Sequence, residues 1–438
     1  MKAISIFFLA GAVLLIASCD SIKNNGETRP VIDDETEEVE TGTVGSPLGE
    51  WTEGTLDIHF INTGRGECSF LILPDGTTVL VDMAGNTTDY STATYKDVDP
   101  KPNSSISSAT VIINYINYFN SEQSAGHIDY ALLSHFHEDH MGTYTTSLGT
   151  GGDGTFRLTS LAEIGLSLPY YHFFDRCYPD YDYPYESYFS ASKYQNEQAF
   201  ATYMANTMGA TVEAFDAGAL NQIALEYDAD SYPDFQIQNL CANGYYWTGT
   251  GTEKARNMPD TFDTTDSNSL PDENHYSCGF KLTFGDFDYF SAGDLQYESS
   301  SLVASYSYLD MEAPVAAVVG QVDVAKANHH GTQYANGDDL MQAMCPTVWV
   351  ANVWRDIQPR TSAVADVLEA NPDCDIYCTN FDSDVNACTS SQLENFVSFS
   401  GHVVVRVLDG GSYYYVYVLD DSDMNYNISS INGPYASK

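Results

Sequence analysis

Basic side chains are scarce in this sequence of 438 residues, which has 17 lysines and arginines against 61 aspartates and glutamates. The formal net charge at pH 7 is therefore −44. A protein with this charge repels the phosphate backbone of nucleic acids and the surface of anionic membranes, so long nucleic acid is not an expected partner. Any phosphate-containing ligand needs a local source of positive charge, such as a metal ion.

Long apolar runs are also missing after the first twenty or so residues, so no internal segment is expected to cross a membrane. The N-terminal sequence MKAISIFFLAGAVLLIASC has one lysine, an apolar run and small residues before a cysteine, which is typical of an export signal. Its residues Ile16 to Cys19 resemble the lipobox of bacterial lipoproteins. This resemblance implies a signal peptide over residues 1–18 and a lipid on Cys19 that anchors an exported protein to a bacterial membrane. An uncleaved anchor is the alternative.

Residues 19–50 are acidic and poor in apolar side chains, and we expect them to form a disordered tether to a folded domain over residues 51–438. The tight cysteine pairs of a structural zinc site are absent. Disulfide pairing, free buried thiols and metal binding all stay open for the cysteines of the exported domain. These cysteines are Cys68, Cys177, Cys241, Cys278, Cys345, Cys374, Cys378 and Cys388.

The pattern of apolar residues predicts a β-sandwich with helices outside it, built from two similar halves. HIDYALLSH predicts a buried strand, and the segments 106–119 and 361–370 are predicted to be helices. Strand-like alternation is lost over residues 143–270, so these are expected to form an inserted lobe, with a polar helix near residues 192–208. The aromatic stretch 169–189 either packs this lobe against the main body or lines a substrate site.

The sequence SHFHEDHMG holds three of the ten histidines of the chain directly after a predicted strand. His135 and His137 point to the same side of an extended segment, because side chains alternate along a strand. Asp139 and His140 then face a second position. Imidazole nitrogens and carboxylate oxygens bind divalent ions, and two such pairs can hold two ions a few ångströms apart. Zinc is the expected metal, and manganese and iron also fit these ligands.

A dinuclear site needs further ligands from other strand ends, and the sequence offers them at two places. FSAGDL ends a predicted strand at Asp294, whose carboxylate can bridge two ions. AKANHHGT ends another at His329 and His330.

These three motifs, HxHxDH, GDL and HHG, resemble the metallo-β-lactamase fold, and most closely the hydrolase domain of ComEC-like competence proteins and the teichoic-acid phosphorylcholine esterases. The opening LDIHFINTGRGECSFLILPDGTTVLVDMAG is similar to the same branch, although Asn62 and Arg65 stand where aspartate and glutamine are usual. The resemblance covers residues 56–142 and 274–420. It implies an α+β fold of four layers, αββα, and a metal-dependent hydrolase.

The resemblance also implies a role for each motif residue. The implied ligands are His135 and His137 for the first metal, Asp139, His140 and His330 for the second, and Asp294 between the two. His329 is then free to donate a proton to a leaving oxygen or to hold a phosphate oxygen, and an exchange of roles with His330 is the alternative. Asp139 accepts a proton from the attacking water or orients that water. Asp82 either orients a metal-binding imidazole or is only a turn residue.

The family usually provides a third histidine ligand for the first metal, and no residue of this sequence stands in the usual setting of that histidine. His275 lies one strand and a turn before Asp294 and is the expected ligand, with His172 or a water molecule as alternatives. Competence-type relatives often have a histidine in the turn where this sequence has Gln358. The histidines expected to be structural are His59 and His402.

Hydrolysis of a small phosphodiester or phosphomonoester is the activity that the resemblance implies, because the branch with the HHG motif resembles phosphoesterases. Two divalent ions would make hydroxide available near neutral pH and polarise the bound ester. Lys326, Arg355 and Arg360 are expected to assist an anionic substrate. Hydrolysis of a lactam, lactone or thioester is one alternative, since the same scaffold supports all three. A lipid-anchored binding protein with a structural metal site is another, and an oxygen-reducing di-iron protein is a third.

Overall fold

The computed structural model describes residues 42–152, 154–185, 187–385 and 388–438. The expected signal peptide, the lipid-bearing Cys19 and most of the expected tether lie outside the described residues, so these stay predictions. Among the described residues there is no helix with the length and apolarity needed to cross a membrane.

Within the described ranges the chain forms two nine-stranded sheets, a two-stranded hairpin and nine α-helices. The strands are β1 (Leu56–Phe60), β2 (Ser69–Ile72), β3 (Thr78–Val81), β4 (Ile128–Leu132), β5 (Thr150–Gly151), β6 (Phe156–Arg157), β7 (Tyr170–Asp175), β8 (Thr211–Ala214), β9 (Phe235–Ala242), β10 (Tyr245–Trp247), β11 (Lys254–Arg256), β12 (Gly279–Phe284), β13 (Phe287–Ser291), β14 (Val324–Lys326), β15 (Val348–Ala351), β16 (Asp375–Cys378), β17 (Phe396–Ser398), β18 (His402–Leu408), β19 (Tyr413–Leu419) and β20 (Ile428–Ala436). The helices are α1 (Ser108–Phe119), α2 (Glu138–Met141), α3 (Ser160–Ser167), α4 (Ser192–Tyr203), α5 (Ser300–Val303), α6 (Glu312–Val319), α7 (Asp338–Met344), α8 (Thr361–Ala370) and α9 (Ser390–Leu393).

Each large sheet is antiparallel at one side and parallel at the other. The strand order of the first sheet is β20-β19-β18-β1-β2-β3-β4-β7-β8, and the order of the second is β11-β10-β9-β12-β13-β14-β15-β16-β17. Strands β3, β4, β7 and β8 pair in parallel, as do β13 to β17. The carboxyl ends of parallel strands in a sheet lie along one edge, which is where ligand sites form in open sheets of this kind.

Three buried apolar clusters separate four layers. One joins the first sheet to α1, α3 and α4, the second lies between the two sheets, and the third joins the second sheet to α6, α7 and α8. Strand β18 shows the alternation that this requires, because Val403, Val405 and Val407 face the other sheet while Val404 faces α1. The predicted αββα architecture is confirmed.

The packed domain begins earlier than the sequence suggested. Residues 42–50 belong to the predicted tether, yet the N–H of Gly45 donates to the carbonyl of Ile428 at 2.8 Å, and the side chain of Leu48 is buried. These contacts attach the segment to β20, and an acidic composition alone does not reveal them.

The expected inserted lobe is a misassignment, because residues 143–270 supply strands to both large sheets. Strands β7 and β8 extend the first sheet beyond β4, and β9 to β11 form one side of the second sheet. The polar helix predicted near residues 192–208 is present as α4, followed by a π-helical turn. The aromatic stretch 169–189 packs around the buried guanidinium of Arg176, whose Cζ lies 5.0 Å from the ring centre of Phe189.

Seven of the cysteines are free thiols in the structure, and six of these are buried. Of the three alternatives open from the sequence, the buried free thiol therefore describes most of them. The seven are Cys68, Cys177, Cys241, Cys278, Cys374, Cys378 and Cys388.

Candidate metal centre

The histidine motif lies at the carboxyl end of β4, where the chain passes from strand to a single helical turn. His135 and His137 are in the extended part, and Asp139 and His140 lie on α2. The chain of Gly293 approaches from β13, and its φ of +50° together with a Cβ position only 2.5 Å from Ser134 Oγ leaves room for glycine alone. This close approach brings the next residue, Asp294, to the motif.

One half of the centre is built around Asp294 and α2. The Oδ2 atom of Asp294 lies 3.1 Å from His140 Nε2 and 3.5 Å from His330 Nε2. The Oδ2 atom of Asp139 is 3.1 Å from the same His330 nitrogen and 3.7 Å from the His140 nitrogen. Two imidazoles and two carboxylates from three distant segments thus direct ligand atoms to one point.

The other half shares Asp294 with the first. His135 Nε2 lies 3.1 Å from His137 Nδ1 and 3.9 Å from Asp294 Oδ2. These three residues form one potential metal-binding group, and Asp294 with His140 and His330 belongs to a second. A carboxylate common to two groups is the arrangement of a bridging ligand in a two-metal site.

Unsatisfied buried atoms indicate that a cation fits here. Both carboxylate oxygens of Asp294 and the Nε2 atom of His140 are buried without a hydrogen-bond partner of good geometry. Burial by itself would raise the pKa of Asp294 and lower that of His140. The imidazoles of His140, His330 and His329 together outweigh burial for Asp294, and the carboxylates of Asp294, Asp82 and Asp139 together outweigh it for His140. The pKa of Asp294 is thus held well below its ordinary value, so the carboxylate is ionised and able to bind a metal.

The imidazoles are oriented by hydrogen bonds to their other nitrogens. Asp82 Oδ2 accepts the Nδ1–H of His140 at 2.8 Å, and it also accepts the hydroxyl of Ser134, which lies 3.0 Å from His135 Nδ1. The Nδ1–H of His330 donates to the carbonyl of Asn352 at 2.8 Å. Each bond leaves Nε2 free for a metal. The orienting role considered for Asp82 is therefore seen in the structure.

His275, the expected third ligand of the first metal, is not brought into either group. Its Nδ1 atom accepts the backbone N–H of Asp272 at 3.1 Å, and its ring closes a capping box at the start of a short 3₁₀ turn. His172, the alternative, stacks on Tyr130 at 4.7 Å and lies 4.0 Å from Glu226. Both histidines are held by local contacts elsewhere in the fold.

His329 belongs to neither group but lies close to the shared carboxylate. Its Nε2 atom lies 3.7 Å from Asp294 Oδ2, and its ring lies 3.3 Å from Asn274 Nδ2. Both His329 and His330 have left-handed backbone angles, with φ of 47° and 55°. Such consecutive strained residues are characteristic of functional turns. Burial lowers the pKa of His329 to about 4, so the ring is neutral near pH 7.

His59 and His402 are structural, as expected. Both are buried in the cluster beneath α1, where each ring contacts Tyr115. Gln358 fills a structural position too, because its Oε1 atom accepts the backbone N–H groups of Trp354 and Arg355.

Two residues of the centre belong to no motif in the sequence. Glu67 is buried beside His140 and His330, and both of its carboxylate oxygens bind the Lys326 ammonium, at 2.6 and 2.8 Å. The expected role of Lys326 toward a substrate is therefore wrong, since the ammonium is enclosed. Lys193, at the start of α4, lines the pocket of the centre instead. Glu67 and Lys193 are recognised only by their position beside the centre in the fold.

A pocket of about 210 Å³ opens over the centre. Its floor is formed by His137, Asp139, Asp294, His329 and His330, and its rim includes Asn86, Tyr90, Glu138, Lys193, Thr332, Trp354, Arg355 and Gln358. Arg360, which was also expected to assist a substrate, is exposed and does not line this pocket.

No protein-family profile matches the sequence, and no curated protein matches it. Among solved structures, the Zn²⁺-bound PqqB from Methylobacterium extorquens is 8% identical, with 81% of this chain and 99% of that chain covered and a TM-score of 0.36. The diiron β-hydroxylase CmlA from Streptomyces venezuelae is 14% identical, with coverages of 82% and 54% and a TM-score of 0.36. The metallo hydrolase Igni18 from Ignicoccus hospitalis is 13% identical, with coverages of 68% and 81% and a TM-score of 0.30. At these scores the likenesses assign no activity, and the fold rests on the layers described above.

Proposed function

We propose that the protein is a metal-dependent hydrolase that cleaves small phosphodiesters or phosphomonoesters at a dinuclear centre. The observation that carries the proposal is the convergence on Asp294 of ligand atoms from the HxHxDH turn and the HHG turn. A purely structural metal site would be closed on all sides, whereas this centre has a pocket above it.

When bound, two divalent ions would supply an acidified water and an electrophilic contact to the ester oxygen. The ligands would be His135 and His137 on one side, Asp139, His140 and His330 on the other, and Asp294 between them. The carboxylate of Asp139 faces the pocket and can orient the water or accept its proton. The neutral imidazole of His329 can donate an N–H to a phosphoryl oxygen or to the leaving oxygen.

The charge of the pocket rim favours a phosphoester over a neutral lactam or lactone. Arg355 and Lys193 both line the pocket, although the chain has only 17 basic residues. Placing two of them beside a metal centre suits an anionic substrate, because the surrounding body at −44 otherwise repels one.

The test combines elemental analysis of the purified domain with hydrolysis of bis(p-nitrophenyl) phosphate, p-nitrophenyl phosphate and the β-lactam nitrocefin. We expect about two divalent ions per chain and turnover of at least one phosphoester. Asp294→Asn should lose bound metal and on the order of 100-fold or more in turnover, since even orienting residues change metal affinity by 10 to 100-fold. His172→Ala, a histidine outside the centre, should keep both.

Other outcomes would assign the protein differently. Nitrocefin turnover without phosphoester turnover would overturn the phosphoesterase assignment in favour of lactam hydrolysis. A binding protein with a structural metal would be favoured if the protein held its full metal complement but hydrolysed no ester or lactam. In that case His135→Ala should also bind the ligand as wild type does.

A further inference from the structure

We propose that Arg355, Trp354 and Lys193 form an anion-binding subsite on the rim of the pocket, which holds a phosphate group of the substrate. This inference rests on the proposed function and narrows its substrate to esters that present a negatively charged phosphate. All three residues line the pocket that opens over the metal-binding residues.

The guanidinium of Arg355 lies against the rings of Trp354 and Tyr90. Its Cζ atom lies 4.1 Å from the ring centre of Trp354 and 4.9 Å from that of Tyr90. The backbone is fixed as well, because the N–H of Arg355 donates to Gln358 Oε1 at 3.0 Å. A stacked guanidinium loses little entropy when it binds an oxyanion, since its planar fork is already oriented.

The donors of this pair lack acceptors within the part of the chain that the structure describes. Trp354 is 4% exposed, and its Nε1–H has no hydrogen-bond partner; the Nε atom of Arg355 is likewise buried and unpartnered. The nearest carboxylate, Asp97, stands 3.9 Å from Arg355 Nε, beyond hydrogen-bond distance. Buried donors without acceptors are unfavourable, so a ligand oxygen that accepts hydrogen bonds from Trp354 and Arg355 would be stabilised.

Lys193 supplies a second positive charge from another element, α4. Its ammonium lies 4.9 Å from the ring centre of Tyr194, and it forms no ion pair with any described carboxylate. By contrast, Lys281 and Lys438 both pair with Asp288. A lysine without a described ion-pair partner and an arginine stacked on a ring, both lining one pocket, are typical of recognition of a phosphate group.

Among the described residues, no acidic group of the pocket forms an ion pair with Arg355 or Lys193. Asp139 and Asp294 belong to the metal-binding groups, and Glu138 accepts hydrogen bonds from Thr88 at 3.2 Å and Tyr90 at 3.4 Å. Arg355 therefore has the weakly paired Asp97 as its one close carboxylate among the described residues.

The binding test is calorimetric titration of the full domain with inorganic phosphate, in chelator-treated and in metal-loaded protein. In both forms we expect Arg355→Gln to weaken phosphate binding by about tenfold or more, as for the loss of a charge-assisted hydrogen bond. Trp354→Phe, which keeps a ring and removes the N–H, and Lys193→Gln should each weaken it by a few-fold. Arg355→Lys should keep part of the affinity, which shows that the site still folds.

Arg360→Gln is the matched control, because it removes the same charge from an exposed position five residues along the chain and outside the pocket. It should leave phosphate binding unchanged. The subsite would be overturned if wild type and Arg355→Gln bound phosphate with equal affinity. It would also be overturned if phosphate binding required the metal and did not change in Arg355→Gln, Trp354→Phe or Lys193→Gln.

Kinetics separate the subsite from the proposed function. We expect Arg355→Gln to raise KM for bis(p-nitrophenyl) phosphate by about tenfold with a smaller change in kcat. Phosphoester turnover with an unaltered KM in Arg355→Gln would refute the subsite and leave the function standing. Arg355-dependent phosphate binding without any phosphoester turnover would refute the function and leave the subsite standing.

Discussion

At the scale of single residues, one carboxylate controls the orientation of two metal-binding histidines. Asp82 accepts the Nδ1–H of His140 directly, and it reaches His135 through the hydroxyl of Ser134. Asp82→Asn would replace an acceptor of the His140 proton by an amide that can present N–H to it, which favours the wrong tautomer. We expect zinc affinity, measured by competition with a chromogenic chelator, to fall about 10 to 100-fold.

Asp75→Asn is the control for this change. Asp75 is equally buried, and its carboxylate accepts backbone N–H groups of Thr77 and Tyr227 at a turn far from the centre. It should destabilise the fold without changing zinc affinity. If both variants lose zinc affinity equally, the effect at Asp82 is a general loss of stability.

Some of the residues of the metal centre can be predicted from the sequence, and others cannot. The spacing of His135, His137, Asp139 and His140 defines a ligand cluster because one short turn holds all four. The roles of His275 and His329 depend instead on contacts that spacing does not reveal. A backbone N–H three residues earlier occupies His275, whereas a left-handed turn brings His329 toward Asp294.

At the scale of elements, helix α6 holds the HHG turn through one buried side chain. Glu312 Oε1 accepts the side-chain N–H of Asn328 and the backbone N–H of Asn336, and Oε2 accepts the N–H of Gly337. Burial nevertheless raises the pKa of Glu312 from its ordinary value of 4.5 to about 7. The folded state thus favours the protonated carboxyl relative to the unfolded state.

This shift gives stability a defined pH dependence. The contribution of Glu312 is complete below pH 4.5 and is lost as pH rises through about 7, a change of about 3 kcal/mol. Glu312→Gln does not titrate, so the free energy of unfolding of wild type relative to this variant should fall by roughly that amount between pH 4.5 and 8. Urea unfolding of the metal-loaded proteins measures it.

Glu394→Gln, which replaces an exposed carboxylate directly after α9, serves as the control and should leave the pH dependence of wild type unchanged. A constant difference between wild type and Glu312→Gln across this pH range would show that Glu312 titrates alike in both states.

Element pairing is also where the sequence was least informative. Strands β1 to β3 form two adjacent hairpins, so their alternation is visible in short windows. Strand β9 pairs with β12, some forty residues later, and is buried on nearly all positions, so it shows no alternation. Strands β7 and β8 join in parallel through long connections. Such nonlocal pairing made residues 143–270 resemble an insertion.

At the scale of the whole molecule, the two sheets are joined beside the centre by a buried ion pair. Glu67 precedes β2 of the first sheet, and Lys326 ends β14 of the second. The Lys326 ammonium binds both Glu67 oxygens and also the carbonyl of Gly293 at 2.6 Å, directly before Asp294. The pair therefore links the two sheets to the turn that bears the shared carboxylate.

Breaking this pair from one side should cost more than removing it entirely. Lys326→Met leaves the Glu67 charge buried without a partner, and we expect a loss of about 3 to 5 kcal/mol in the free energy of unfolding. Glu67→Leu should lower the free energy of unfolding by a similar amount, because it leaves the Lys326 ammonium buried without a counter-ion. The double variant removes both charges, so its loss, measured by urea unfolding, should be well below the sum of the two single losses. Additive losses would mean that the two side chains stabilise the fold independently, and that the ion pair does not join the two sheets.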